Sequence, residues 1–250
     1  MKIQGCRAFV TGANRGIGAA LVRRLSARGA ARIYAAARDP SQMRHPAGPA
    51  EIIPVQLDVT DPGQCEAAAR LASDAALLIN NAGVSHFGVT LLDAQAAGAL
   101  RLEMEVNVFG VLNVSRAFAS ALEANGGGAL VNILSAAALM NVPLLGGYSM
   151  SKAAALSLTQ SLRALLAAQK TLVAAAIIGS VDTRMARDVP GNVNKVSPDF
   201  AADAVLDGIE AGLEEIYTDP MAADMRDRLA SDPKKLERYL AKGLQLLRKP

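Results

Sequence analysis

Short apolar runs alternate with longer segments of helical spacing along the first half of the chain. The short runs are almost continuously apolar, a pattern typical of parallel strands that helices cover on both faces. The longer segments repeat apolar residues every three or four positions, as an amphipathic helix does. In this half we predict strand Cys6–Val10, helix Gly16–Gly29, strand Arg32–Ala36, strand Ile52–Leu57, helix Gln64–Ala72 and strand Ala76–Ile79.

The second half continues the alternation with longer helices and one loop rich in Pro, Gly and Asn. Strands joined by helices in this rhythm, with right-handed crossovers, form a doubly wound parallel sheet, so the predicted fold class is α/β. Here we predict helix Ala99–Ala124, strand Ala129–Leu134, helix Tyr148–Ala168, strand Leu172–Ile178, loop Gly179–Pro198, helix Phe200–Gly212 and edge strand Glu215–Thr218.

The last part of the chain, Asp219–Pro250, is charged and helical in pattern. No linker rich in Pro, Gly or Ser precedes it, and the chain shows no internal repeat. We therefore predict a single domain over residues 1–250. Within it, residues 219–250 are predicted to form a helical segment that covers the substrate cleft or a subunit contact.

Composition narrows the class of function. With 250 residues, 51% of them hydrophobic, and a mean hydropathy of +0.22, the chain has enough apolar side chains for a sizeable core. The net charge of +3 is spread along the chain and Trp is absent, which favours a small anionic ligand over nucleic acid. No apolar run approaches the roughly 18 residues of a membrane span, so we predict no membrane partner.

The start of the chain and its cysteines favour a cytoplasmic protein without a metal. Residues 1–5 run directly into the first predicted strand and leave no room for a secretory signal. Cys6 and Cys65 are too few for a disulfide framework. Neither they nor His45 and His86 have the spacing of metal ligands.

Three glycines, Gly12, Gly16 and Gly18, lie between the first predicted strand and the first helix. Glycines here allow a tight turn, let the backbone approach a pyrophosphate and let the helix pack closely on the sheet. The start of the helix then offers unpaired N–H groups and a partial positive charge to phosphates. The pattern predicts a dinucleotide site, although a plain turn between strand and helix is the simpler alternative.

Tyr148 and Lys152 are four residues apart and share one face of a predicted helix, and Ser135 lies thirteen residues before the tyrosine. A positive charge beside a phenol favours the phenolate and lowers the tyrosine pKa from about 10. Such a tyrosine exchanges a proton with a substrate oxygen while a hydride moves elsewhere. The three residues therefore predict a proton-transfer site.

These features, with further segments, resemble the short-chain dehydrogenase/reductase family in its branch of roughly 250 residues and one domain. The resemblance covers about residues 3–218 and implies a Rossmann fold and an oxidoreductase that uses a nicotinamide cofactor. The matching segments are Thr11–Gly18, Asp58-Val59, Asn80-Asn81-Ala82-Gly83, Asn107-x-x-Gly110, Ser135 and Tyr148-x-x-x-Lys152.

The resemblance implies a role for each catalytic residue. Tyr148 would be the proton donor and acceptor, and Lys152 would bind the nicotinamide ribose and hold the pKa of the phenol down. Ser135 would hydrogen-bond the substrate oxygen as an oxyanion hole does. Asn107 would hold a water that links Lys152 to solvent. Without the resemblance, Asn107 would be interpreted as a buried amide that satisfies backbone groups.

The resemblance also implies a set of cofactor contacts. Asp58 either accepts the adenine amino group or caps the following turn, and the asparagines of 80–83 can also tie neighbouring strands together. After the sixth predicted strand, Ile178-Gly179 replaces the usual Pro-Gly. The predicted cofactor-binding residues are Gly12, Asn14, Arg15, Gly16, Ile17, Gly18, Arg38, Asp58, Val59, Asn81, Ala82, Gly83, Tyr148, Lys152, Gly179, Val181 and Thr183.

The end of the second strand favours NADP(H) over NAD(H). NAD sites place an acid there for the ribose 2′-hydroxyl, whereas NADP sites supply arginine for the 2′-phosphate. This chain has Ala37 at the position of the acid and Arg38 next to it, with Arg15 in the glycine turn. Two guanidinium groups suit a phosphate, so we predict NADPH/NADP+.

The predicted substrate pocket is largely apolar, and the substrate is a small carbonyl or alcohol. Hydrophobic ketones or aldehydes, steroids and small diketones all stay open. The pocket residues that we predict are His86, Ala137, Leu139, Met140, Leu145, Ser180 and Met185.

Two further predictions concern function class and assembly. A catalytically idle dinucleotide-binding regulator on the same fold is the alternative to an enzyme, but it would not need a complete set of catalytic residues.

The helices Ala99–Ala124 and Tyr148–Ala168 combine alanine with Leu102, Val106 and other large apolar residues. Apolar faces of this kind suit an interface, and we predict a homotetramer, with a dimer as second choice.

Overall fold

A computed structural model describes residues 1–43, 48–187 and 194–246 of the protein. His45, residues 188–193 of the predicted loop Gly179–Pro198 and the last four residues of the C-terminal segment lie outside this part. The strands are β1 Arg7–Thr11, β2 Arg32–Ala37, β3 Glu51–Gln56, β4 Leu77–Asn80, β5 Ala129–Ile133, β6 Leu172–Ile177 and β7 Glu215–Tyr217. The α-helices are α1 Gly16–Ala27, α2 Pro62–Leu71, α3 Ala96–Met104, α4 Gly110–Ala124, α5 Gly146–Leu165, α6 Pro198–Glu210, α7 Pro220–Ser231 and α8 Pro233–Ala241.

The strands form one parallel sheet in the order β3-β2-β1-β4-β5-β6-β7, which confirms the predicted doubly wound α/β fold. Successive residues of a strand face opposite sides of the sheet. In β1, Val10 accordingly packs into the core under α1 and α6, while Phe9 packs into the core under α2 and α4. The crossovers leave in opposite directions from β1 and β4, so a crevice opens between the carboxyl ends of these two strands.

The predicted continuous helix Ala99–Ala124 is wrong in one respect, because the structure divides it. α3 ends at Met104, a π-helical turn spans Glu105–Phe109, and α4 begins at Gly110. A π turn adds a residue to the helical repeat, which changes the directions of the side chains on either side of it. Apolar periodicity does not register this single inserted residue.

The C-terminal segment packs against the body of the protein. Asp219 caps α7 by accepting hydrogen bonds from the backbone N–H groups of Met221 and Ala222. Ala222 and Leu236 are buried in a small core with Leu134 of the segment after β5. α7 and α8 therefore pack on the body of the protein, and the covering of a substrate cleft or a subunit contact stays a prediction. Among the described residues, no helix is long and apolar enough to span a membrane.

Candidate active site

The turn between β1 and α1 requires glycine for two separate reasons. Gly12 has φ +63° and Gly16 has φ +55°, in the left-handed region that L side chains rarely adopt. Gly18 is needed for space, because a Cβ there would collide with the carbonyl oxygen of Gly12. The turn therefore brings its backbone close to the crevice, as the sequence predicted.

The start of α1 is open to an anionic ligand. Arg15 is the N-cap residue, and its side chain makes no capping hydrogen bond; the first turn holds no acidic residue. The N–H groups of that turn and the positive end of the helix dipole are then available to a phosphate. Thr183 lies over the turn, with its Cγ2 3.4 Å from the position of a Cβ at Gly16. These features fit a dinucleotide phosphate group.

Asn81 and Ala82 fasten β4 to β1. The Thr11 hydroxyl accepts hydrogen bonds from the backbone N–H groups of Asn81 (2.9 Å) and Ala82 (3.0 Å). The Asn81 amide nitrogen in turn donates to the carbonyl oxygens of Thr11 (2.9 Å) and Gly12 (3.1 Å). The strand-tying role considered for these asparagines is present, and it fixes one wall of the crevice.

Asp58 stabilises a local turn, but it does not cap a helix. Its Oδ1 accepts hydrogen bonds from the backbone N–H (3.0 Å) and the hydroxyl (2.8 Å) of Thr60. Asp61 caps α2 instead, by accepting from the N–H of Gln64. Asp58 remains half-exposed at the end of β3, whereas Val59 is buried against α2 and α4.

The predicted catalytic residues converge at the carboxyl end of β5. Ser135 follows β5, and Tyr148 and Lys152 lie on the first turns of α5. The Lys152 Nζ donates a hydrogen bond to the carbonyl oxygen of Ile133 (2.8 Å) and lies 5.7 Å from the centre of the Tyr148 ring. Ser135 interacts with the phenol of Tyr148. The structure thus brings together three residues spread over eighteen positions of the chain.

The electrostatics of this group differ from the sequence-based expectation of a lowered tyrosine pKa. Burial raises the pKa of Tyr148 to about 12, the hydrogen bond with Ser135 acts to lower it, and the charge of Glu103 raises it. Burial also lowers the pKa of Lys152 from 10.5 to about 8. Desolvation is the largest cause of both shifts, because each charged form has lost most of its water.

Asn107 lies in the π turn and binds the backbone of the segment after β4. Its Oδ1 accepts from the N–H of Val84 (2.9 Å), and its Nδ2 donates to the carbonyl oxygen of Val84 (2.9 Å) and to the Ser151 hydroxyl (2.9 Å). A Cβ on Gly83 would lie 3.1 Å from Asn107 Oδ1 and 3.7 Å from Lys152 Nζ. The amide therefore satisfies backbone groups, as the simpler interpretation held, and it sits beside Lys152. Its part in a water relay stays a prediction.

Gly179 takes its position from the C-terminal segment. Its backbone N–H donates to Asp219 Oδ2 (2.7 Å), and a Cβ at this position would collide with the same carboxylate. Val181 is buried and forms a bridge with Val196, which anchors the start of the loop after β6. Asp219 therefore fixes the position of the backbone at Gly179, where the loop after β6 begins.

The structure buries some of the predicted pocket residues and leaves others half-buried or exposed. Leu139 and Met140 pack against the core under α7 and α8, and Ala137 is buried beside Ser135. Ser180 is also buried, whereas Met185 is exposed and Leu145 half-buried. The C-terminal helices therefore cover part of the wall that was predicted to be open to substrate.

Sequence reasoning missed Glu103. This residue of α3 is 2% exposed, and its Oε1 accepts a hydrogen bond from the backbone N–H of His86 (2.7 Å) and contacts the ring Nδ1 of His86 (3.3 Å). A carboxylate is rarely buried without a partner, so a glutamate inside an apolar helical segment was the available signal.

The two arginines predicted to bind the 2′-phosphate are exposed at the edge of the crevice. Arg15 and Arg38 make no ion pair within the described ranges. Ala37, which ends β2, is buried. Asp39 accepts hydrogen bonds from the N–H (3.1 Å) and hydroxyl of Ser41 and caps the short turn after β2.

Comparison with known proteins agrees with this fold. The sequence model of the short chain dehydrogenase family matches residues 7–194, and the chain belongs to that family. It is 35% identical over 192 residues to a galactitol 2-dehydrogenase (L-tagatose-forming) from Cereibacter sphaeroides, covering 74% of each chain. It is also 32% identical over 209 residues to a 3-alpha-(or 20-beta)-hydroxysteroid dehydrogenase from Mycobacterium tuberculosis, covering 82% of this chain and 80% of the relative.

A solved structure resembles the whole chain. The short chain dehydrogenase from Burkholderia cenocepacia, crystallised with NADP, superposes with a TM-score of 0.90 at 43% identity. The match covers 96% of this chain and 99% of that one. The family assignment and the Rossmann-type fold predicted from the sequence are confirmed, and the protein is a dehydrogenase/reductase of this family.

The lowered pKa of Lys152 gives a prediction about stability. Because its pKa falls from 10.5 to about 8 on folding, the native protein binds fewer protons than the unfolded chain between these values, and stability rises with pH. We expect the free energy of unfolding of the wild type, relative to Lys152→Met, to rise by about 2 kcal/mol between pH values of about 8 and 10.

Urea unfolding of both proteins at the two pH values measures this difference. The variant serves as the control, because it lacks this titration and shares the others. Tyr148, with its pKa raised to about 12, contributes in the opposite direction only above the window. A difference that does not change with pH would contradict the burial of a titrating Lys152.

Proposed function

We propose that the protein is an NADP(H)-dependent oxidoreductase that moves a hydride between the nicotinamide and a carbonyl or secondary alcohol carbon. The observation that carries this proposal is the position of Tyr148 beside Ser135 and Lys152 at the carboxyl end of the sheet. Parallel α/β sheets bind their ligands at this end. The bound cofactor would supply or accept the hydride, and the protein's own groups would handle the proton.

In this proposal Tyr148 donates the proton during carbonyl reduction. Its pKa of about 12 keeps the phenol protonated at neutral pH, which is the form required of an acid. Ser135 hydrogen-bonds the same substrate oxygen and stabilises its developing negative charge. Lys152 stabilises the phenolate that forms, since its ammonium lies 5.7 Å from the ring centre.

The proposed choice of NADP(H) depends on charge at the edge of the crevice. Arg15 and Arg38 are exposed cations without an ion-pair partner in the part of the chain that is described. Ala37 leaves no acid to bind a ribose 2′-hydroxyl, and the carboxylate of Asp39 is engaged with Ser41. Binding of NADP by the similar Burkholderia cenocepacia protein supports the same choice.

The substrate class follows from the chemistry of the site and from the relatives. A galactitol dehydrogenase and a hydroxysteroid dehydrogenase both act on secondary alcohols, and the proposed site would do so here.

We further propose a cytoplasmic location. Cys6 and Cys65 are free and buried, a state that a reducing compartment maintains.

Replacement of Tyr148 by Phe tests the catalytic role. The variant should lose turnover by about 10²-fold or more, because a positioned acid contributes at least that much. NADPH affinity, measured by fluorescence titration, should stay within about twofold of wild type, since a phenyl ring preserves the packing.

Tyr239→Phe, which alters an exposed tyrosine of α8, is the control and should retain full activity. A Tyr148→Phe protein that keeps a tenth of the wild-type turnover would exclude the acid role. A wild-type protein that binds NADPH and reduces no carbonyl of a broad panel would instead favour the idle regulator.

Replacement of Arg38 by Ala tests the cofactor. Loss of a guanidinium that binds the 2′-phosphate should raise the Michaelis constant for NADPH about tenfold or more, given the strength of charge-assisted hydrogen bonds. The constant for NADH should change less than about twofold. Arg70→Ala removes the same charge from the exposed face of α2 and should leave both constants unchanged. Equal effects of Arg38→Ala on the two cofactors would contradict the assignment.

We also propose assembly through α5 and the predicted helix region Ala99–Ala124, which the structure divides into α3, the π turn and α4, as a homotetramer, with a dimer as second choice. Several large apolar residues of these helices are not on the surface, since Leu162 is buried and Val106 packs on the core. Leu102 is exposed, and Met150 and Leu165 on α5 are 43% and 74% exposed. These three residues provide the apolar surface that an interface would cover.

Light scattering at micromolar concentration tests the assembly. The chain has a mass of 25.9 kDa. We expect about four times this chain mass for the tetramer, or about twice the chain mass for the dimer. Leu165→Glu should lower the mass, because a buried unpaired charge opposes association. Leu71→Glu, at an exposed leucine of α2, is the matched control. A wild-type mass near that of one chain would refute the proposal.

A further inference from the structure

Glu103 and His86 form a polar pair next to the proposed proton donor. Glu103 lies against Gly147, the residue before Tyr148, and its charge raises the pKa of Tyr148. A cleft beside them is lined by both residues of the pair together with Leu91, Leu100 and Gly147. The roles assigned to Ser135, Tyr148 and Lys152 do not use this pair.

The burial of Glu103 is not explained by its structural contacts alone. Its Oε1 holds the backbone N–H of His86 at 2.7 Å, which a neutral glutamine oxygen would do without the cost of desolvating a charge. The same oxygen also contacts the ring Nδ1 of His86 at 3.3 Å. A carboxylate accepts only, so it orients the ring with a proton on Nδ1.

This orientation determines what the other ring nitrogen recognises. With Nδ1–H directed to Glu103, Nε2 accepts a hydrogen bond when the imidazole is neutral and donates one when it is charged. Nε2 has no hydrogen bond within the described residues, and the side chain of His86 is 35% exposed. A hydroxyl group both donates and accepts, so it pairs with Nε2 in either state. A carbonyl or carboxylate oxygen pairs only with the charged ring.

We propose that His86, oriented by Glu103, binds a second hydroxyl group of the substrate, so that the enzyme acts on hydroxyketones and the corresponding diols or polyols. This inference rests on the proposed carbonyl–alcohol oxidoreductase function and specifies its substrate class. The sequence-based expectation was a largely apolar pocket. The pair adds polar groups to a cleft that the apolar side chains of Leu91 and Leu100 also line.

The test compares ketones that differ only by hydroxyl for methyl. Hydroxyacetone is matched with butanone, 4-hydroxy-2-butanone with 2-pentanone, and 5-hydroxy-2-pentanone with 2-hexanone, so that three distances from the carbonyl are sampled. For the wild type we expect at least one hydroxyketone to exceed its partner by about tenfold in kcat/KM, the size of one good hydrogen bond. His86→Leu should abolish this preference, so that the ratio of kcat/KM within each pair falls to about one.

Variants of Glu103 separate orientation of the ring from simple support of the loop. Glu103→Gln keeps an acceptor for His86 and should retain most of the preference, whereas Glu103→Leu should lose it. Asp93→Ala is the control for a loosened loop, because Asp93 holds the N–H of Thr90 (2.6 Å) in the same loop without contacting His86. It should affect both members of each ketone pair equally. NADPH affinity, measured in parallel, should stay unchanged in every variant.

Two negative results have different meanings. Reduction of the ketones without preference in any pair, or equal losses on both members in His86→Leu, would overturn the role of His86 and leave the proposed function intact. A wild type that is inactive on every ketone with NADPH, and on the corresponding diols with NADP+, would overturn the proposed function together with this inference.

Discussion

The hydrogen bonds between Thr11 and the Asn81-Ala82 segment are the constraint on which the site depends. β1 and β4 are neighbours in the sheet, yet their crossovers leave towards opposite faces, so the chain separates where these strands end. The Thr11 hydroxyl accepts hydrogen bonds from two backbone N–H groups, and the Asn81 side-chain amide donates to two carbonyl oxygens. Together these bonds hold the ends of β1 and β4 to each other. The crevice therefore has a fixed width before any ligand enters.

Burial sets the chemistry of the groups at this crevice. Tyr148 and Lys152 both move towards their neutral forms, with pKa values of about 12 and 8, because the fold removes water from around them. A protonated phenol suits the reduction of a carbonyl, and an ammonium within reach suits the phenolate that results. The negative charge of Glu103 also raises the pKa of Tyr148, so this residue helps to keep the phenol protonated.

The C-terminal segment and the loop after β6 meet at one residue, Asp219. Asp219 caps α7 and at the same time holds the N–H of Gly179, so the C-terminal helices and the loop after β6 share one carboxylate. Leu139 packs on the core beneath α7 and α8 instead of facing an open cleft. Changes in the C-terminal segment would therefore alter the pocket without touching a catalytic residue.

The sequence by itself determined the α/β class, the glycine turn and the Ser135, Tyr148 and Lys152 group, because each depends on local periodicity or on fixed spacing. Only the tertiary structure decided the π turn at Asn107, the raised pKa of Tyr148 and the pairing of His86 with Glu103. These depend on which distant residues become neighbours and on how much water they lose. Periodicity along the chain carries neither kind of information, since burial and contact arise only when the helices dock on the sheet.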